Sequence, residues 1–398
     1  MFQRVYDEKG YRLRRRRRSE VRKQGRKIIN TRRTGRRAGA WLLAALFVFG
    51  ISLPVLPARG EGRWSTLTEG RDTLTDSFLV DEFSGTVTAT FLGDCTLGGE
   101  EKSRNSALGF LRRIQDNGTA FPMRFLKELT AADDLTVANL EGVLTDRSLK
   151  KVEKKYNFSG PTSFTEILTS GGIDGVTLAN NHSHDYGDAG YEDTQNALDA
   201  AGIGWFGTDA PAVWTNEDGL KIGLIGVATS LSGNRYKRYQ TQMQTLRELG
   251  CAAVITVMHA GTEYSYKPDE YQKQIARRAI ACGSDLVIGH HPHVVQGYEE
   301  KDGVPIVYSL GNCSFGGTTH AKDSDALVVQ ADLIFENSIL QGIRLRFYPI
   351  SITSDSRYNN YSPMFLTGED AERVFRKMRE STGVDPSAST GTPPGAAQ

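Results

Sequence analysis

Beyond residue 84, short apolar runs rich in β-branched side chains recur along the chain. Between them lie longer stretches in which apolar positions fall three or four apart. The first pattern is that of buried strands and the second that of amphipathic helices. Residues 86–92, 135–140, 173–179, 220–228, 252–258, 285–289 and 304–310 read as strands. Residues 106–115, 122–131, 162–169, 191–201, 242–249 and 269–281 read as helices. Residues 326–335 and 339–347 read as an antiparallel hairpin turning at 336–338. Strand and helix alternate, which predicts an α/β fold.

The polar residues sit where these runs end. The run 173–179 delivers Asn180-Asn181-His182-Ser183-His184-Asp185-Tyr186-Gly187; others deliver Gly93-Asp94, Glu141, His259, His290-His291-Pro292-His293 and Gly311-Asn312. Loops beyond the carboxyl ends of strands converge in open α/β sheets, so these side chains are expected to meet. Asp94, Glu141, Asn181, His182, His259, His291 and His293 form the candidate set. Carboxylate, amide and imidazole together suit Mn, Fe or Zn better than a closed thiolate zinc site. Two ions about 3.5–4 Å apart would share one bridging ligand, clamp a phosphoryl group and activate water. Asp94, on the first strand, is the expected shared acid. The four cysteines, Cys95, Cys251, Cys282 and Cys313, lack CxxC spacing. Cys95 with Cys313, or Cys251 with Cys282, are possible pairs; buried free thiols are the other reading.

Charge divides the chain. Residues 12–37 hold fourteen Lys and Arg against one acid, Glu20, whereas residues 38–398 hold 32 bases and 44 acids, a net charge near −12. The basic block alone would suit nucleic acid. It directly precedes 38–58, an almost charge-free apolar stretch about as long as a membrane span requires. Together they read as a single-pass signal anchor whose amino end stays in the cytoplasm, with no nucleic acid expected. Residues 59–84 read as a stalk, 85–350 as the folded domain and 351–398 as an extension. Its tail, from about 383, has a Ser, Thr, Gly, Pro and Ala composition that predicts disorder.

Six ordered motifs carry a resemblance: GDxxLG at 93–98, NLE at 139–141, NNHxxDYGxxG at 180–190, HxGxEY at 259–264, HPHVxQ at 291–296 and YSLGN at 308–312. The chain resembles the CapA family of capsular poly-γ-glutamate synthesis, itself similar to calcineurin-like metallophosphoesterases. The resemblance implies a four-layer α/β/β/α metallophosphoesterase-like sandwich preceded by one transmembrane helix, at the cell membrane with the domain extracellular. It implies two divalent metal ions held by Asp94, Glu141, Asn181, His259, His291 and His293, with His182 as general acid. Asp185, Asn139, Glu263 and Asn312 would support the ligands, Asp185 by orienting a ligand histidine. His184 and His290 fall at variable positions and read as bystanders. Its implied partners are membrane-bound poly-γ-glutamate synthetase subunits and the anionic polymer, for which residues 150–155 offer a lysine-rich candidate patch; a solvated loop is the other reading of that stretch.

The chain departs from the family pattern in carrying Gly99 where an Arg is common, Cys313 and Gly316 where a bulky apolar residue and an acid are common, and Glu141 where classical phosphoesterases have Asp. Three functional readings follow: a metal-dependent hydrolase of an envelope precursor, a non-catalytic accessory subunit of polymer synthesis or export, and a phosphoesterase unrelated to capsule.

Overall fold

The computed structural model describes residues 62–68 and 82–394. The basic block and the expected anchor, residues 1–58, lie outside the described residues. Among the described residues no helix is long and apolar enough to cross a membrane.

The chain forms a mixed α/β structure around two large sheets. One has eight strands, in the order Met364–Phe365, Ile339–Ser351, Asp325–Glu336, Gly85–Thr96, Leu135–Leu140, Gly175–Thr177, Gly204–Phe206, with Asn312–Phe315 pairing beside Gly85–Thr96. The other has seven, in the order Arg63–Thr66, Ala212–Thr215, Lys221–Ala228, Ala253–His259, Leu286–His290, Val304–Val307, Tyr298–Lys301. The strands from Gly85–Thr96 to Gly204–Phe206 run parallel, as do those from Lys221–Ala228 to Val304–Val307.

Period-two alternation explains the layering. Val87, Ala89 and Phe91 share one core with Ile222, Leu224, Ile255, Val257 and Ile288 of the other sheet. Their neighbours Leu92, Ala138 and Val328 face the opposite way, onto Phe110, Ile114, Ile167 and Leu198 of the helices Phe110–Asn117, Thr165–Ser170 and Gly187–Ala200. On the far side Ile225, Val254 and Val287 pack against Met243, Leu246, Ile275 and Ala279 of Gly233–Glu248 and Glu270–Ala281. Strands covered on both faces must be apolar nearly throughout, which is why they stood out in the sequence. The helix Glu270–Ala281 starts at a capping box, with Asp269 and Gln272 bonding reciprocally to each other's backbone.

Two segments differ from expectation. Arg63–Thr66, inside the expected stalk, pairs antiparallel with Ala212–Thr215 as an edge strand. It is seated by Trp64, whose ring lies over Gly175 and Gly204: a Cβ on either would come within 2.3 Å of it. The tail is also ordered further than its composition suggests. Thr390 bridges to Phe347 and Gly391 N donates to Phe347 O at 2.9 Å. The preceding helix, Gly368–Thr382, inserts Val374, Phe375 and Met378 into the core between the sheets.

Candidate metal centre

The parallel strands of both sheets deliver their polar ends to one place. Gly93 sits at a register shift between Gly85–Thr96 and Leu135–Leu140. A Cβ there would lie 2.3 Å from Gly311 O, so the glycine permits the close approach that aims Asp94 inward. The next strand ends at Asn139 and Glu141, and the other sheet supplies His259, His290, His291 and His293.

Two groups of ligand atoms, each within 4.8 Å of one another, result: Glu141 with His259 and His291, and Asp94 with Glu141 and His293. The residue common to both is Glu141. The expected sharing through Asp94 is not what the geometry favours, because Asp94 is already engaged. Its Oδ1 accepts from Asn139 Nδ2 at 2.8 Å and lies 3.2 Å from His290 Nδ1. Its Oδ2 lies 3.2 Å from His293 Nδ1. His290, read as a bystander, is therefore a buried neighbour of the candidate acid Asp94.

Asn181 Oδ1 stands 2.8 Å from His259 Nε2, which in turn is 3.0 Å from His291 Nδ1. These residues line a cavity of about 170 Å³ together with Thr229, Ala260, Gly261 and Tyr271. Asn139 and Asn312 each contact one of the candidate histidines. Asn139 Nδ2 is 3.2 Å from His259 Nδ1, and Asn312 Oδ1 is 2.9 Å from His293 Nδ1. Glu263 is instead exposed, on the rim near Lys155 and Tyr264.

His182 fronts the cluster, its Nε2 3.9 Å from Glu141 Oε1 and its ring stacked 4.3 Å from Phe158. Asp185 orients this histidine and not a ligand one: its Oδ2 is 2.7 Å from His182 Nδ1 and accepts from Phe158 N at 2.6 Å. Lys154 pairs with the same carboxylate and reaches His182 Nδ1 at 3.3 Å and Asn181 O at 2.8 Å. Asn180 ties the layers together. Its Nδ2 donates to Asn139 Oδ1 and Leu140 O, while its Oδ1 accepts from His182 N and Ser183 Oγ. His184 is exposed, stacked on Tyr191 away from these contacts.

Charge and strain concentrate here. Burial opposes ionisation of Asp94, but His290 and His293 hold it well below the usual carboxylate range. Burial also lowers His291, to about 4, with His259 adding to the effect. His293 is raised to about 10, because Glu141 and Asp94 overcome the burial that opposes its charge. Non-glycine residues with positive φ include Thr229 (63°), Tyr264 (61°), His291 (97°) and His293 (58°), conformations that cost about 1–3 kcal/mol each and gather at functional sites.

The residues fit a divalent cation. Both Glu141 oxygens are buried and accept no hydrogen bond. The groups facing this buried carboxylate are the imidazoles of His259 at 3.4 Å, His182 at 3.9 Å and His293 at 4.0 Å, a donor set of carboxylate and imidazole that suits a divalent ion. His259 and His291 bring two ring nitrogens within 3.0 Å of each other beside it, and imidazole nitrogen is a common ligand of such ions.

The departures at Gly99 and Gly316 turn out to be neighbours. A Cβ at Gly99, whose φ is 128°, would lie 2.4 Å from Gly316 O, so the backbone at these two positions approaches too closely for a side chain at Gly99. The four cysteines are free; Cys95 and Cys313 lie side by side beneath the centre, fully buried.

Known proteins place the chain. Over 324 residues it is 26% identical to the capsule biosynthesis protein CapA of Bacillus anthracis, covering 74% of each chain. It is 26% identical to the PGA biosynthesis protein CapA of Bacillus subtilis over 261 residues, 60% of this chain and 66% of the relative. It is also 26% identical to a probable polyglutamine synthesis accessory protein of Mycobacterium tuberculosis, over 46% of this chain and 55% of the relative. Among solved structures, TT1561 of Thermus thermophilus aligns with 62% of this chain and 94% of its own, at a TM-score of 0.33 and 10% identity, too distant to carry an argument. Residues 88–316, from the first long strand to the loop that closes the centre, match the family described as bacterial capsule synthesis protein PGA_cap, and the chain belongs to it.

Proposed function

We propose that the chain is a membrane-anchored capsule biosynthesis protein whose outward-facing domain is a binuclear, metallophosphoesterase-like hydrolase of a phosphate ester or related bond in an envelope precursor. The observation that carries the reading is the pair of ligand groups sharing Glu141, with a carboxylate-oriented histidine beside them. The anchor and its orientation rest on the basic block before the apolar stretch 38–58.

Asp94, Glu141, Asn181, His259, His291 and His293 would hold the ions, which when bound polarise the scissile group and lower the pKa of a coordinated water. Asp185 fixes His182 by accepting from Nδ1, leaving Nε2 directed at the cluster. Protonated at Nε2, His182 delivers that proton to the leaving oxygen; stacking on Phe158 keeps the ring from turning away. Asn139 and Asn312 hold the ligand rings of His259 and His293 in place.

The test is hydrolysis of a generic phosphodiester by the metal-loaded protein and its His182→Ala variant. Activity falling about 10²–10⁴-fold with metal retained is the expected result for loss of a general acid. Metal retained with no turnover in either protein would favour the second reading, an accessory subunit of synthesis or export. The mycobacterial relative, a probable polyglutamine synthesis accessory protein, motivates that reading.

A further inference from the structure

We propose that the mouth of the metal centre binds an acidic chain, with Lys155 and Lys322 taking anionic groups along its length. This deepens the capsule-polymer reading above and rests on it. Two aromatic walls lead from the rim to the centre. On one, Tyr156 stacks on Phe158 at 6.4 Å and 11°, and Phe158 stacks on His182. On the other, the Tyr264 ring is 6.2 Å from that of His293. Each wall is topped by an ammonium over its outer tyrosine: Lys155 Nζ is 4.8 Å from the Tyr156 centroid, and Lys322 Nζ is 4.1 Å from that of Tyr264. Lys154, at the foot of the first wall, is paired with Asp185 and so leaves Lys155 and Lys322 as the cations of the rim.

These cations stand out because residues 38–398 carry a net charge near −12. A protein of that charge repels a polyanion except where its basic residues are grouped. Tyr156 and Tyr264 are 45% and 38% exposed, and each has an ammonium over one ring face, Lys155 on Tyr156 and Lys322 on Tyr264. That favours a chain recognised by charge, one bearing repeated carboxylates, over a single-stranded nucleic acid, which needs free aromatic faces. Cations fixed on two separate loops also suit a ligand with several anionic groups better than one phosphate. Glu263 is the opposing charge on the rim, near Lys155 and Tyr264.

The experiment measures binding of fluorescently labelled poly-γ-glutamate to the full chain in detergent, across a range of salt concentrations. Wild type, Lys155→Gln/Lys322→Gln and Glu263→Gln are compared, with metal content as the check that the centre is intact. The double variant should bind at least about five-fold more weakly and with a flatter salt dependence, whereas Glu263→Gln should bind more tightly. Unchanged affinity in the double variant, or no binding by wild type, would overturn the proposal. So would a single-stranded oligonucleotide that binds as well as the polymer and is lost in the same variant. Phosphodiester hydrolysis, followed in parallel, separates the two readings. Failure of the hydrolase reading alone leaves polymer binding and its loss unaltered, while failure of the rim leaves turnover of the small ester unaltered.

Discussion

Asp185 carries more of the centre's structure than its single carboxylate suggests, and replacing it by alanine should show this. The group is wholly buried and gathers Phe158 N at 2.6 Å, His182 Nδ1 at 2.7 Å and the ammonium of Lys154. Removing it strands two buried donors, each costing about 1–3 kcal/mol when left unpaired. Lys154 is 28% exposed and recovers hydration, so its share is below about 1 kcal/mol. The expected loss for Asp185→Ala is therefore about 3–5 kcal/mol. Asp185→Asn keeps the volume and one acceptor and should lose about half as much. Equilibrium unfolding in urea reads these values, with a shift in midpoint at constant slope. A loss below about 1 kcal/mol for Asp185→Ala, or equal losses for Ala and Asn, would refute the argument that Asp185 organises this corner.

Other perturbations reach different parts of the molecule. Gly204→Ala places a Cβ 2.0 Å from the Trp64 ring, so it should unseat Arg63–Thr66 and cost about 1–3 kcal/mol. Limited proteolysis should then cut near Trp64 in the variant and spare wild type; equal cutting would show that the strand is not docked. Asp332 is held below the usual carboxylate range: burial opposes this, but Arg344, Thr88 and Arg346 prevail. Because its folded pKa is depressed, its contribution is full above the unfolded value of about 4 and is lost as pH falls through the folded one. Thermal unfolding of Asp332→Asn should thus lose less stability than wild type on acidification below about pH 4, and parallel acid limbs would contradict the assignment. Finally, Cys282 is partly exposed, while Cys95, Cys251 and Cys313 are buried, Cys251 being pushed up to about 12. Iodoacetamide followed by mass spectrometry should label Cys282 first in the native protein, and early labelling of Cys95 or Cys313 would contradict the packing beneath the centre.

The two-sheet frame was legible because its central strands are buried on both faces, giving uninterrupted apolar runs such as Ala253–His259. Their polar terminators were legible for the same reason: Asp94, Glu141 and His259 end runs that otherwise tolerate no charge. What escaped depends on contacts remote in sequence. Lys154, read as part of a lysine-rich patch, and Asn180, read only as the start of a motif, take their roles when the loop 150–158 folds over His182. Glu141 emerges as the shared acid only when Asn139, His290 and His293 are seen to engage Asp94. Arg63–Thr66 has no periodicity of its own to report; two glycines far along the chain make its seat. The paired departures at Gly99 and Gly316 become one feature only in space.

The central claim is that Glu141 joins two ligand groups into one metal centre, and elemental analysis of the purified chain tests it most directly. Wild type should hold about two divalent ions per chain. His293→Ala, which touches one group, should lose one of them, and Glu141→Ala, which touches both, should lose both. A folded wild-type protein free of metal, or a Glu141→Ala variant retaining its full complement, would contradict it.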